Sequence, residues 1–148
     1  MAFRGYFDNN LDAKNRLTIP AKLRGPLADG VVVALERDAP RHIAIWSTAE
    51  FNAHVERLLD GINPLSGDYV RLERFLNAYS NEVELDAAGR VMVPAKLLEQ
   101  AGLSREVAVI GAGNRLEVWD REAWLTHSSD LLNTVNDIGP GSPNGHTA

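Results

Sequence analysis

LDAKNRLTIPAKLR, residues 11–24, returns half a chain later as LDAAGRVMVPAKLL, residues 85–98. Eight of the fourteen aligned positions are identical, at an offset of 74 in a chain of 148 residues. A period that long marks a duplicated folding module, not a short solenoid repeat. Within each copy an acid is followed four residues on by an arginine, Asp12 with Arg16 and Asp86 with Arg90. Between them Asn15 and Gly89 share one slot, and these residue types best tolerate a left-handed backbone. The pattern predicts a tight turn in which the carboxylate accepts backbone donors or pairs with the arginine. A short strand follows, Arg16 to Ile19 or Arg90 to Val93, and then a proline suited to the first position of a helix.

Outward from the repeat, Phe3 to Leu11 reads as the opening strand. Pro20 to Arg24 reads as a helical turn or two, stopped by Gly25-Pro26. The β-branched run Val31 to Glu36 and the return His42 to Trp46 are strands, and Ser47 with Glu50 forms a capping box for a helix from Thr48 to about Asp60. The second half repeats this plan: strands at Asn81 to Leu85, Val107 to Ile110 and Leu116 to Trp119, with Gly102 capping the Pro94 helix and Asp120 opening a last helix to about Val135. Trp46, Phe51 and His54 recur as Trp119, Trp124 and His127, which predicts equivalent packing of helix on sheet. Tyr69, Leu72, Leu76 and Tyr79, with Phe75, follow helical spacing and form a bridge with no counterpart at the amino end. The tail from Asn136 is poor in apolar residues and is expected to be disordered. The class is α+β, mainly β, in two pseudo-symmetric halves with peripheral helices. The organisation is module one over residues 5–52, bridging helices over 53–79, module two over 80–124, and a helix end and tail over 125–148.

An apolar fraction of 45% supports a real core, and the absence of cysteine excludes a disulfide framework and thiolate metal sites. The first residues lack an apolar signal core and no run is long enough to span a bilayer, so a soluble cytoplasmic protein without a membrane partner is expected. Net charge is −5, yet residues 1–25 set five cations against two acids while the remainder sets ten against eighteen. A basic patch on an acidic body confines anionic partners to one face, unless it is a merely solvated stretch. The histidines His42, His54, His127 and His146 show no metal-ligand spacing, and there is no phosphate loop, dinucleotide fingerprint or nucleophile elbow. Asp12 and Asp86 each have an arginine at hand that holds them ionised, which argues against proton transfer. No enzyme activity, small-molecule substrate, cofactor or metal is expected.

The pattern LDxxxRxxxPAxL, twice, each time followed by a strand pair ending in tryptophan, resembles the SpoVT-AbrB type of DNA-binding module. FRGYFDNNLDAKNRLTIPAKLR near the start and EVELDAAGRVMVPAKL later are similar to the MraZ family of bacterial transcriptional regulators, from Phe3 to about Trp124. That resemblance implies a swapped-hairpin or double-split β-barrel, ring-shaped homo-oligomers, and a nucleoid-associated regulator. It also implies binding to short direct repeats of double-stranded DNA in the promoter of the division and cell-wall gene cluster, including the protein's own gene. Its DNA-facing turns map onto Asp12, Lys14, Arg16, Asp86 and Arg90. Arg4, Lys22 and Arg24 of the basic patch join Lys14, Arg16 and Arg90 as candidate DNA contacts, with Asp12, Asn15, Asp86 and Gly89 shaping the turns. Two departures stand out: Asn15 replaces the family's usual glycine, and the bridging segment RLERFLNAYS is less basic than usual. Local charge favours the first copy as the DNA-contacting one, because Ala88 and Leu98 stand where it has Lys14 and Arg24. The alternative is a ring-forming scaffold whose Asp–Arg turns are structural.

Overall fold

All five residues of the run Val31–Leu35 are buried, so this strand needs cover on both faces. The computed structural model, which describes residues 2–140, supplies it with a ribbon on one side and helices on the other. In chain order the strands are β1 (Tyr6–Asn10), β2 (Arg16–Thr18), β3 (Val31–Leu35), β4 (Ile43–Ser47), β5 (Ser80–Val83), β6 (Arg90–Met92), β7 (Glu106–Gly111) and β8 (Leu116–Asp120). The helices are α1 (Thr48–Asp60), α2 (Gly67–Ala78), α3 (Ala95–Ala101) and α4 (Arg121–Thr134). Six strands form one antiparallel sheet in the order β1-β7-β8-β4-β3-β5, and β2 pairs with β6 in a separate ribbon.

The sheet order is a palindrome of the duplication. The two inner strands β4 and β8 correspond, as do β3 with β7 and β1 with β5. Each half therefore lends its first strand to the other: β1 runs beside β7 with Phe7 opposite Val109, and β5 beside β3 with Val31 opposite Val83. Arg121 fastens the first exchange, donating from Nη2 to the Asn9 carbonyl at 2.7 Å and lying 3.4 Å from the Asp8 carboxylate.

Alternation along the strands sorts side chains to two faces. Val31, Val33, Ile43, Ile45, Val107, Val109, Leu116 and Val118 point into the main core, where they meet Leu17, Ile19, Val91 and Val93 from the ribbon. On the other face Val32, Ala34, Ala44 and Trp46 meet Phe51 and Val55 of α1. The aromatic set recurs with the same geometry. His54 stacks on Trp46 at 4.3 Å and His127 on Trp119 at 4.9 Å, while Phe51 and Trp124 meet those indoles edge-on at 6.1 and 5.3 Å.

Several expected boundaries move. The opening strand starts at Tyr6, since Gly5 at φ 105° interrupts it and leaves Phe3 in a single bridge to Gly113. The helical turn after Pro20 ends before Gly25-Pro26 as expected, but the chain does not leave helical geometry there. A 3-10 turn at Ala21–Leu23 is followed by another at Gly25–Leu27, because the fixed φ of Pro26 suits a helix start and Leu27 drops into the core. Pro20 and Pro94 stand one place earlier than expected, as N-caps with extended ψ near 137°. The bridging helix buries its expected face, with Leu76 innermost. Beyond α4 a 3-10 turn covers Val135–Asp137, so order extends past Asn136. The rest of the stretch expected to be disordered, from residue 141 and including His146, lies outside the described residues.

His42, just before β4, is 4% exposed and stacks on Trp119 at 4.4 Å. Its Nδ1 faces the Pro40 carbonyl at 3.0 Å and its Nε2 lies 3.4 Å from Glu117, which also receives Nη2 of Arg115 at 2.8 Å. Burial pushes His42 down, but the hydrogen bonds to Glu117 and Pro40 and the charges of Glu117 and Glu36 outweigh it, leaving its pKa raised. Burial pushes Glu117 up, but its bond to His42 and the neighbouring charges bring it down to about 2. A raised histidine stabilises the fold fully below its unfolded pKa of about 6.5, and the contribution fades as pH rises through the folded value. The Tm advantage of the natural chain over His42→Gln is therefore expected to be greatest near pH 6 and to shrink toward pH 9. An advantage that is flat with pH would show that folding leaves the imidazole pKa unchanged, and one that grows with pH would show the imidazole held neutral in the fold.

Candidate nucleic-acid interface

Each duplicated turn is stapled by its own carboxylate. Asp12 Oδ1 accepts the backbone N–H of Lys14 at 2.9 Å and of Arg16 at 2.8 Å, while Oδ2 accepts Nε of Arg16 at 2.7 Å. Asp86 does the same with Ala88, Arg90 and the Arg90 side chain at 2.9, 2.9 and 2.7 Å. Backbone bonds close both loops, from Asn15 N–H to the Asp12 carbonyl and from Gly89 N–H to the Asp86 carbonyl. The amide of the following arginine, chiefly, holds each carboxyl below the usual range, with the guanidinium adding to it. Both acids are thus fixed as anions that shape a turn.

The two turns do not sit at separate ends of the molecule. Ribbon β2–β6 pairs Arg16 with Met92, Leu17 with Val91 and Thr18 with Arg90, so the copies meet antiparallel about the Leu17–Val91 pair. Cross-links continue the ladder, from Ile19 N–H to the Gly89 carbonyl and from Val93 N–H to the Asn15 carbonyl, both at 2.9 Å. Leu17 and Val91 are fully buried, and alternation turns Arg16, Thr18, Arg90 and Met92 outward on one face. In both arginines Nε is taken by the aspartate, and among the described residues neither Nη group has a partner.

Arg24 crosses between the copies. Its Nε donates to the Ile19 carbonyl at 2.8 Å, and its guanidinium lies over Gly89, where a Cβ would meet it at 2.1 Å. A cation from the first copy therefore sits on the turn of the second, and the duplicated charge is more evenly shared than sequence position implied. The slots of Asn15 (φ 61°) and Gly89 (φ 76°) are both left-handed, as expected. They differ in that Leu98, not an arginine, occupies the place equivalent to Arg24 in the second copy. Asn15→Gly is expected to leave stability within about 0.5 kcal/mol, and Asn15→Val to cost roughly 1–2 kcal/mol. Gly89→Ala should cost at least as much, since it also displaces Arg24, and part of that loss should return in the double variant with Arg24→Ala. Denaturant melts of the four variants check this, and equal midpoints would remove the left-handed requirement.

The remaining candidates scatter. Lys14 is exposed on the first turn. Lys22 lies to the side, its Nζ 5.2 Å over the Phe7 ring, much as Lys96 lies over Tyr79 at 5.6 Å. Arg4 stands beside Gly111, at the opposite end of β1 from the turns. Sequence reading missed Arg105, whose Nη1 donates to the Asp12 carbonyl at 2.7 Å from a distance of 93 residues along the chain. No local spacing signals it. It also passed over Thr18 and Met92, the latter 53% exposed, although period-two alternation from the arginines places both on the outer face. Around the ribbon stand five cations, Lys14, Arg16, Arg24, Arg90 and Arg105, against the two turn carboxylates. Among the described residues no group of three or more acids or histidines could hold a metal ion, and no helix is long and apolar enough to cross a membrane.

Fold and site together define a duplicated β-ribbon protein with paired, aspartate-stapled arginines. The family described as "MraZ protein, putative antitoxin-like" matches residues 2–63 and again residues 75–136. The chain belongs to the MraZ family. Among its relatives are proteins called "Transcriptional regulator MraZ" from Micrococcus luteus, 43% identical, Kocuria rhizophila, 44% identical, and Paenarthrobacter aurescens, 45% identical. Each alignment covers 94% of this chain and 98% of the relative.

Proposed function

We propose that this chain is a sequence-specific DNA-binding transcriptional regulator whose contact surface is the ribbon β2–β6. The observation that carries this reading is the pair of outward guanidiniums. Each is oriented by a carboxylate at Nε, leaving Nη1 and Nη2 for guanine O6 and N7 or for a phosphate. A two-stranded ribbon is of a width the major groove of B-DNA admits. Lys14, Arg24 and, at the side, Lys22 neutralise phosphates, and Arg4, set at the far end of its strand, contributes least. The names of the relatives support a regulator and name no enzyme.

The finer parts of the proposal rest on this one. The ribbon and the strand-exchanged sheet close over their shared core as a swapped-hairpin or double-split barrel. Modules over residues 5–52 and 80–124, joined by the segment 53–79, form one subunit of a homo-oligomeric ring at the nucleoid in the cytoplasm. A ribbon alone offers few contacts, so several subunits on evenly spaced direct repeats gain affinity through effective concentration. Those repeats lie in the promoter of the division and cell-wall gene cluster, upstream of the protein's own gene. Footprinting on that promoter is the test. A set of evenly spaced protected repeats is expected, with log affinity falling steeply in salt by about 0.9 per phosphate neutralised. An unprotected promoter, or binding indifferent to salt, would favour the scaffold reading in which the turns are structural.

A further inference from the structure

Between the end of β3 and helices α1 and α2 lies a cavity of about 110 Å³. Its apolar walls are Phe51 and Leu58 of α1 and Phe75 and Leu76 of α2, and its polar lining is Glu36 and Asp38 against Arg37, with the His54 ring. Three features set it apart from a packing gap. The Glu36 carboxylate has no cation within ion-pair distance among the described residues: Arg37 lines the cavity without pairing with it, and His42 and Arg115, both paired with Glu117, offset its charge only in part. Burial raises the pKa of Glu36, as expected of a carboxylate whose charge is poorly compensated. Beside it Trp46 Nε1 is buried without a well-formed hydrogen bond, the Glu36 carboxylate being close enough to feel it but not to satisfy it. His54 is kept neutral by burial and by Arg57, Arg115 and Arg37, so it offers a ring face and not a competing charge.

A carboxylate without an ion-pair partner, in a lining of two acids against one arginine beside aromatic and aliphatic walls, fits one ligand chemistry. We propose that this cavity is a binding site for a small amphiphilic cation, an ammonium group with a short apolar body, held by Glu36 and enclosed by the rings of Phe51, His54 and Phe75. The ammonium supplies the missing charge and gains from the ring faces. The apolar body takes the space between Leu58 and Leu76. A dry cavity of about 150 Å³ accepts benzene, so this one suits about five heavy atoms, for which a Kd on the order of 1 mM is realistic. The site shares no residue with the ribbon or with either turn, so the proposal stands apart from the DNA reading.

The test uses the full chain labelled with nitrogen-15 and follows the indole N–H signals of its three tryptophans. The probe is n-butylammonium chloride, with n-butanol as its neutral counterpart at equal ionic strength. A saturable shift centred on the Trp46 indole is expected with the cation, and binding weaker by at least about tenfold with the alcohol. Glu36→Gln should erase the preference between the two probes. Leu58→Phe, which fills the chamber, should abolish the shift with either, and this variant decides the matter if Glu36→Gln fails to fold. No saturable shift in the natural chain, or equal binding of cation and alcohol, or a response unchanged in Leu58→Phe would each overturn the assignment.

Discussion

Replacing Arg16 with alanine is expected to weaken operator binding by roughly 5- to 150-fold for each engaged subunit, the equivalent of one bidentate base contact of about 1–3 kcal/mol. Arg90→Ala should cost a comparable amount. Charge counted along the chain favours the first copy, but Arg24 lies across Gly89 and carries first-copy charge to the second turn. Both arginines also have the same staple and the same outward face of one ribbon. Since subunits act together on repeats, the per-site losses compound. Arg16→Lys sharpens the experiment, because it keeps the charge and discards the planar fork. Its affinity should fall nearly as far as that of the alanine variant if a base is read, and much less if a phosphate is touched. Titrations on one repeat-containing fragment, with assembly checked by sedimentation, decide among these outcomes. A loss confined to Arg16 would restore the asymmetric reading, and no loss in either would make the turns structural.

The second large effect concerns the seam of the ribbon. Leu17→Ala is expected to destabilise the fold by about 2–5 kcal/mol, since Leu17 is fully buried at the centre of the ribbon, opposite Val91. That is a large share of a typical domain stability of about 5–15 kcal/mol. Val91→Ala should cost less, as it deletes fewer atoms. Because the two side chains face one another, the double variant should depart from additivity by at least about 0.5 kcal/mol. Strictly additive losses in denaturant melts would mean that the ribbon halves anchor to the sheet independently. All three tryptophans lie on the far side of the sheet from the ribbon, or on the helix that covers that side, so their fluorescence reports the other layer. Coincident fluorescence and circular dichroism transitions would show that ribbon and helices unfold as one unit.

Much of this architecture was legible before any coordinates. The left-handed slot of Asn15 and Gly89, the Asp–Arg staples and the bounds of α1 follow from local chemistry acting within a few residues. Partner choice is another matter. Nothing in β1 says that it belongs beside β7, because alternation fixes which face a residue takes and not which strand lies next to it. Arg24 over Gly89, Arg105 on the Asp12 carbonyl and the burial of His42 with Glu117 are all products of that long-range pairing. The second 3-10 turn at Gly25–Leu27 has a different origin, since burial of Leu27 favours a fresh helical turn directly after the stop.

The exchange of first strands also sets a clock. Tyr6 pairs with Ile110, so the leading strand emerges from the ribosome long before its partner exists. At about 5–20 residues per second, the interval between the two is roughly 5–20 s. During that time β1 is an unpaired edge, and the side of β3 that will later receive β5 is open too. The nascent first half can form the β3–β4 hairpin and α1, all local, but it cannot complete its sheet with its own first strand. Two nascent chains on one message could satisfy each other's edges before either is finished. Assembly in cis is therefore a race between elongation and encounter, and slowing translation in the second half should raise the share of intertwined chains.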